Sequence, residues 1–203
     1  MSRLAPRTPA RAWIGFFMLS ALAAAQVRWP VPPPAPPNTG PEATLVVPGE
    51  PGEPLVIDGT VFAADGTTPV AGVVVYAYNT DAQGFYRPDR AVWPPRLHGW
   101  VKTDGNGHFR LHTIRPGRYP NIHVPAHVHT QLWGGGFPFQ YSGELHFADD
   151  SLITPGEREQ AARLGKFGNL CAPEKDAQGV LHCAMALKAS KESNYHGTQT
   201  PPK

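Results

Sequence analysis

Turn-forming residues interrupt this chain at short intervals, and this feature most restricts the folds that it can adopt. The chain contains 21 glycines and 24 prolines among its 203 residues. Asp65-Gly66 and the segment Asp104–Gly107 are turn sequences that favour positive φ values and hairpins. Short strands separated by such turns are typical of a sandwich of antiparallel sheets. We therefore expect an all-β fold, an antiparallel β-sandwich.

The expected strands are short runs rich in β-branched and aromatic residues. They are Leu55–Ile57, Thr60–Phe62, Val73–Tyr78, Trp100–Thr103, His108–Thr113, His127–Leu132 and Glu144–Phe147. Only Pro155–Leu164 carries enough helix-forming residues to predict one short helix. The chain has no internal repeat, and its length fits a single folded domain.

The first 25 residues have the order expected of a secretory signal peptide. Arg3, Arg7 and Arg11 precede an apolar run from Ala12 to Ala25 that ends in three alanines. A bilayer span needs about 20 residues, so we expect export to the periplasm or the extracellular space, with no membrane span after cleavage. Cleavage after Ala25 would remove three arginines and no acidic residue, and would lower the formal net charge from +2 to −1. The sequence contains no basic cluster with interleaved aromatic residues, so a nucleic-acid partner is not expected.

The rest of the chain divides into three parts by composition. Residues 26–43 are proline-rich and are predicted to form a semi-rigid linker, because proline fixes φ and removes backbone donors. Residues 44–190 are predicted to form the folded domain, and residues 191–203 a polar C-terminal tail.

The chain has two cysteines, Cys171 and Cys183, which flank the turn sequence Asp176–Gly179. In an oxidising compartment, two cysteines on adjoining strands are most simply interpreted as a disulfide. Such a bond would attach the C-terminal segment to the domain. The alternative of paired metal thiolates is disfavoured by export and by the wide gap between the two cysteines.

Two histidines, His127 and His129, are one residue apart in a predicted strand. Because side chains alternate along a strand, both imidazoles lie on one face and can meet one metal ion. Tyr119, in a Pro-Gly-Arg-Tyr-Pro turn, and Tyr86 would add two phenols. Phenolates are hard ligands that suit ferric iron better than zinc or copper(I).

The remaining histidines are interpreted as polar surface residues or as satisfied hydrogen-bond partners. They are His98, His108, His112, His123, His146, His182 and His196. Tyr76 and Tyr78 lie in an alternating strand and are expected to serve packing.

Four segments, in this order and spacing, resemble the signature of the intradiol ring-cleavage dioxygenases, the family of catechol and protocatechuate 3,4-dioxygenases. The segments are Gly84–Tyr86, Thr103–Phe109, Thr113–Pro120 and Pro125–His129. The resemblance extends roughly from Gly59 to Leu152, which is the centre of the chain.

The resemblance implies a non-haem Fe(III) cofactor with Tyr86, Tyr119, His127 and His129 as ligands. It also implies a reaction in which O2 cleaves a small catechol-type aromatic diol to a cis,cis-muconate. In the family, the tyrosine that matches Tyr119 leaves the metal when the diol binds, and its phenolate is a natural acceptor for a diol proton. The tyrosine that matches Tyr86 stays bound.

Two positions depart from the family pattern. Val124 stands where the family commonly has an arginine, and we expect Arg118 to act as the catalytic replacement, with Arg115 and Arg87 as further candidates. Glu144 stands where a glutamine is usual, and both Val124 and Glu144 are assigned to the substrate pocket. A carboxylate there would repel an anionic substrate, so catechol or hydroxyquinol is favoured over protocatechuate.

Two alternatives remain open from the sequence. The segment from Gly59 to Val75 also resembles the start of transthyretin-like and prealbumin-like sandwich modules, so the resemblance implies a prealbumin-like sandwich. Many of those modules only bind or brace. The second alternative is a copper or zinc site on His127 and His129, with the tyrosines as packing. Family members often assemble through an N-terminal helical region absent from this sequence, so a monomer or a different dimer is expected.

Overall fold

The structure is a computed structural model that describes residues 31–197 and 199–202. The predicted signal peptide, residues 1–25, lies outside the described residues, as do the first five residues of the predicted linker. Within the described ranges, no helix combines the length and apolar character needed to cross a membrane.

The described chain is built mainly from strands. In chain order they are β1 (Glu42–Thr44), β2 (Pro54–Phe62), β3 (Val73–Asn79), β4 (Leu97–Lys102), β5 (His108–Ile114), β6 (His127–Gly134), β7 (Phe137–Tyr141), β8 (Leu145–Phe147), β9 (Leu170–Cys171), β10 (Glu174–Lys175) and β11 (Leu181–Lys188). One α-helix, α1 (Pro155–Leu164), has the predicted bounds. The first two predicted strand runs form one continuous strand, β2, and Glu144 lies just before β8.

The strands form two sheets, so the predicted all-β fold is confirmed. One sheet has the order β1-β5-β2-β11-β10; the other has β4-β3-β6-β8-β9, with β7 also paired to β6. The sheets are mixed rather than purely antiparallel, because β1 pairs with β5, β11 with β2, and β8 with β9 in parallel. These parallel partners are far apart in sequence, and a long connection lets a strand enter a sheet in either direction. The finer prealbumin-like assignment stays a prediction.

Strand alternation separates two hydrophobic clusters. Val75 and Ala77 of β3 contribute to the main core, which also contains Ile57 and Leu111 of the other sheet. Tyr76 and its neighbours on the opposite face of β3 belong to a second, aromatic cluster. The six-stranded sheet therefore has an inner face in the sandwich and an outer face covered by aromatic rings.

Segments near both ends of the described residues contact this outer face. Val31 and Ala35, in the predicted linker, pack against the aromatic cluster, and the Trp100 indole donates a hydrogen bond to the Pro33 carbonyl. In the predicted tail, Asn194 exchanges hydrogen bonds with the backbone of Tyr141. The described part of the linker is therefore docked rather than a free spacer, and regular structure begins at β1, inside the predicted linker.

The disulfide between Cys171 and Cys183 is present, as predicted. Cys171 lies in β9 and Cys183 in β11, so the bond joins the two sheets of the sandwich.

Candidate metal centre

The two candidate histidine ligands lie on the outer face of β6. Val128 between them points into the main core, as alternation requires. The Nε2 atoms of His127 and His129 are 3.0 Å apart. The imidazole of His129 is almost fully buried and stacks on the ring of Tyr78, with centroids 4.6 Å apart. Tyr78 thus packs as predicted, and it also supports a ligand.

The two candidate tyrosines reach the same point from loops. Tyr86 lies between β3 and β4, and Tyr119 lies between β5 and β6. The phenol oxygen of Tyr86 is 2.8 Å from His129 Nε2, and that of Tyr119 is 3.1 Å from Nε2 of both His127 and His129. The two phenol oxygens also contact each other. The structure therefore brings together the four atoms that the sequence suggested as ligands.

The two tyrosine loops are held by close contact with each other. Gly84 has φ +88°, and a Cβ at this position would overlap the carbonyl oxygen of Arg118. Gly117 donates its amide to the Asp81 carbonyl at 2.8 Å, while the Thr80 hydroxyl donates to the Gly117 carbonyl at 2.8 Å. Glycine is required where two backbones approach this closely.

Arg118, predicted to act in catalysis, is engaged in an ion pair in this structure, and its catalytic role stays a prediction. Its guanidinium binds the carboxylate of Asp150 at 2.6 and 3.0 Å, and this carboxylate also accepts the Ala126 amide at 2.9 Å. The pair connects the Tyr119 loop to the residue that precedes His127. Burial opposes ionisation of Asp150, but Arg118 and the backbone amides outweigh it and hold the pKa of the carboxyl below its usual range.

The two alternative arginines are also engaged in ion pairs. Arg115 binds Asp149 at 2.7 Å, and Arg87 binds Asp89 at 3.0 Å. Neither belongs to the wall of the cleft described below.

Hydrogen bonds orient both histidines with Nε2 toward the tyrosines. Nδ1 of His127 lies 2.7 Å from the Pro125 carbonyl, and Nδ1 of His129 lies 2.8 Å from a Glu144 carboxylate oxygen. Each acceptor requires a proton on Nδ1, which directs the Nε2 lone pair toward the tyrosine oxygens, where a metal ion would bind. Burial raises the pKa of Glu144, but hydrogen bonds from His129 and His146 hold it well below its usual range.

Burial controls the protonation of the other donors. Burial raises the pKa of the Tyr86 phenol far above its ordinary value, and the neighbouring charge of Tyr119 adds to this rise. Burial also raises the pKa of Tyr119. For His127, burial followed by the charge of His129 lowers the pKa and favours the neutral imidazole. Two phenols of this kind bind as phenolates only to a strongly Lewis-acidic cation, and the donor set therefore fits ferric iron.

An open cleft of about 700 Å³ leads to these four donors. Val124 and Glu144, which the sequence assigned to the substrate pocket, both line this cleft. Arg90 also lines it, with its guanidinium carbon 5.4 Å from the centre of the Phe85 ring. No sequence motif indicated this residue.

His146 was expected to be a polar surface residue or a hydrogen-bond partner. It lines the cleft beside His127, with ring centroids 5.5 Å apart. Its Nε2 atom is 3.3 Å from Glu144. The alternation of β8 places it there, because Leu145 and Phe147 on either side of it point into the core.

A different ligand set, two histidines and a carboxylate, is also within reach. Ligand atoms of His127, His129 and Glu144 lie within 4.8 Å of one another. However, Glu144 contacts the Nδ1 edge of His129, whereas both tyrosines contact the Nε2 edge. The carboxylate is therefore placed to orient a ligand, and the phenols are placed to bind the metal.

Comparison with known proteins identifies the family. The dioxygenase family model matches residues 35–180, which is most of the chain. The chain is 33% identical over 118 residues to the protocatechuate 3,4-dioxygenase beta chain of Burkholderia cepacia, covering 52% of this chain and 50% of that protein. It is 37% identical over 152 residues to catechol 1,2-dioxygenase 1 of Acinetobacter lwoffii, covering 58% of this chain and 48% of that protein. The chain thus spans about half the length of these relatives.

Solved structures share the fold. The dioxygenase domain of a dioxygenase carbohydrate-binding protein fusion from Streptomyces sp. SirexAA-E has a TM-score of 0.56 and 24% identity, with 80% of this chain and 98% of that chain covered. The structure of 3-chlorocatechol 1,2-dioxygenase from Rhodococcus opacus 1CP has a TM-score of 0.58 and 21% identity, with 79% of this chain and 70% of that chain covered. The chain belongs to the intradiol ring-cleavage dioxygenase family, as its sequence signature predicted. Family membership does not favour the alternative of a non-catalytic transthyretin-like module.

Proposed function

We propose that this protein is a non-haem Fe(III) enzyme that uses O2 to cleave the ring of a catechol-type diol to a cis,cis-muconate. One observation carries the proposal: two phenol oxygens and two imidazole nitrogens converge at the end of an open cleft, with contacts of 3.1 Å or less. Both oxygen atoms of O2 enter the product, so the reaction needs no reducing cofactor.

Tyr86, Tyr119, His127 and His129 would hold the metal. When bound, ferric iron would supply a Lewis acid that displaces the phenol protons and binds the diol oxygens. The protein's own contribution is to fix the two imidazoles through Pro125 and Glu144, so that little reorganisation accompanies binding.

The two tyrosines have different roles in the proposal. Tyr86 is 7% exposed and is enclosed by the aromatic cluster, which suits a permanent ligand. Tyr119 is only partly buried and lies on the loop that forms one wall of the cleft. Its phenolate oxygen is therefore placed to accept a proton from an incoming diol hydroxyl.

The cleft wall favours a neutral diol. Val124 is apolar, and the carboxylates of Glu144 and Glu157 line the same cleft. A substrate carboxylate near them would meet like charge, and Arg118 is paired with Asp150 instead of facing the substrate. We therefore propose catechol or hydroxyquinol chemistry rather than protocatechuate chemistry.

Purification from iron-replete cells tests the metal. The protein is expected to be red, from charge transfer between phenolate and ferric iron, to contain stoichiometric iron, and to consume O2 with catechol. Tyr119→Phe should shift the absorption band and slow O2 uptake. Tyr195→Phe is the matched control, because Tyr195 packs against Phe139 and Tyr141 outside the cleft. A colourless protein with stoichiometric zinc or copper would contradict the proposal.

We also propose that the protein is exported, with residues 1–25 as its signal peptide. The signal-like order of the first residues and the disulfide between Cys171 and Cys183 support export. Expression of the full chain in a bacterial host, followed by N-terminal sequencing of the periplasmic and secreted fractions, should find a chain that starts near Gln26. An uncleaved chain confined to the cytoplasm would contradict export.

A further inference from the structure

The walls of the cleft continue beyond the candidate metal ligands. One lining segment contains Tyr86 and Arg90 to Val92, and the other contains Tyr119 to Ile122. Val92 and Ile122 are each 59% exposed, which places them among the large hydrophobic residues most open to solvent in the described chain. Exposed apolar side chains that line one concave surface mark a binding region.

The cleft is large for a single ring. Its volume of about 700 Å³ lies within the range of pockets that enclose drug-sized ligands. A bare catechol with both oxygens at the four donors would fill only the inner end. The outer end, between Val92 and Ile122, would remain in contact with water.

Charged groups in the cleft are mostly engaged elsewhere. Glu144 binds His129 and His146, and Glu157 accepts hydrogen bonds from Thr154 at the start of α1. Arg90 is the one arginine or lysine among the described lining residues. Its guanidinium over Phe85 forms a flat surface on which another aromatic ring can stack, and it offers donors to a polar substituent.

We propose that the substrate is a catechol bonded to a second aromatic ring, with the diol at the four donors and the second ring between Val92 and Ile122, next to Arg90. This inference rests on the proposed function of the same site. The second ring would cover the two exposed aliphatic side chains, and this burial of apolar surface would favour the two-ring substrate over catechol.

Oxygen-uptake kinetics with the full, iron-containing protein test the inference. For 4-phenylcatechol, kcat/KM should exceed that for catechol by about tenfold or more, the effect of a filled hydrophobic subsite. Replacement of both exposed residues, Val92→Ser with Ile122→Ser, should lower this ratio by about fivefold or more. Val47→Ser is the matched control, since Val47 is 62% exposed and lies outside the cleft, and it should leave the ratio unchanged.

Two outcomes would overturn the inference: catechol cleaved as efficiently as 4-phenylcatechol, or an unchanged ratio in the double variant. Both differ from a failure of the proposed function, in which the red, iron-containing protein would consume O2 with neither diol. An unchanged absorption band in the double variant would verify that the metal centre is intact, so that a changed ratio reports on the outer subsite.

Discussion

The two halves of the candidate metal centre are held in different ways. His127 and His129 lie on β6, where the sheet pairs them with β8 and β3 and fixes both backbones. Tyr86 and Tyr119 lie on loops, where no strand pairing holds them. The histidine half therefore follows from strand geometry, whereas the tyrosine half depends on individual contacts such as that between Arg118 and Asp150.

This difference suggests a division of tasks. Ligands on a sheet keep their spacing when substrate binds, and ligands on loops can move at lower cost. A proton acceptor that must release a metal is better placed on a loop. The position of Tyr119 suits that task, and the position of His129 suits a permanent ligand.

Removal of a histidine ligand should have the largest effect. We expect His129→Ala to lose its iron and all measurable O2 uptake, because the ring also contacts both phenols and Glu144. Tyr119→Phe should keep iron, because it removes only the ligand proposed to release the metal when substrate binds and leaves Tyr86 and both strand histidines in place. Elemental analysis of the two purified variants checks the contrast, and equal loss of iron from both would remove the proposed distinction between the halves.

Loss of the contact between Asp150 and the Tyr119 loop should have the next largest effect. The side chain of Asp150 is 2% exposed, and Asp150→Ala leaves Arg118 and the amides of Ala126 and Leu152 without their acceptor. We expect the free energy of unfolding to fall by about 4 kcal/mol, together with weaker iron binding. Urea denaturation measures the first effect.

The neighbouring residue offers a control for Asp150. Asp149 also pairs with an arginine, but its side chain is 52% exposed. Asp149→Ala should therefore change the free energy of unfolding by less than about 1 kcal/mol. Similar losses in both variants would show that the contact of Asp150 with the Tyr119 loop has no special importance.

Removal of the disulfide should lower the stability of the protein without changing the metal centre. Cys171 and Cys183 are 12 residues apart in sequence, and the double serine variant should lose about 3 kcal/mol of stability. The colour and O2 uptake of the folded variant should not change, because neither cysteine lines the cleft. Loss of the absorption band at temperatures where the variant is folded would show instead that the bond supports the ligands.

Replacement of the carboxylate behind His129 should have the smallest effect. Glu144→Gln preserves an oxygen acceptor for Nδ1 but removes the negative charge that increases the donor strength of the imidazole. We expect iron affinity to fall about tenfold and the charge-transfer band to shift. Competition with a chelator measures the affinity, and an unchanged value would mean that hydrogen-bond geometry alone matters at this position.

Local patterns predicted the elements that depend on local chemistry. The alternation at His127 and His129, the helix Pro155–Leu164 and the disulfide are all local features, and the structure contains each of them. The tyrosines were recognisable because their turn sequences resemble a family signature.

Features that depend on distant partners could not be predicted. Arg118 was assigned to catalysis because no local signal indicates its partner, Asp150, which lies 32 residues further along the chain. Strand β11 lies parallel to β2, a pairing that composition does not encode. Arg90 reaches the cleft from a backbone with φ +63°, a conformation that is unusual for arginine and that sequence patterns do not indicate.

The two-faced character of β6 has a consequence for protein engineering. One side of this strand carries the metal donors, and the other side carries Val128 and Leu132 of the main core. Libraries that diversify the cleft walls can therefore leave the sandwich interior untouched. This separation makes the scaffold a practical starting point for laboratory evolution of ring-opening catalysts.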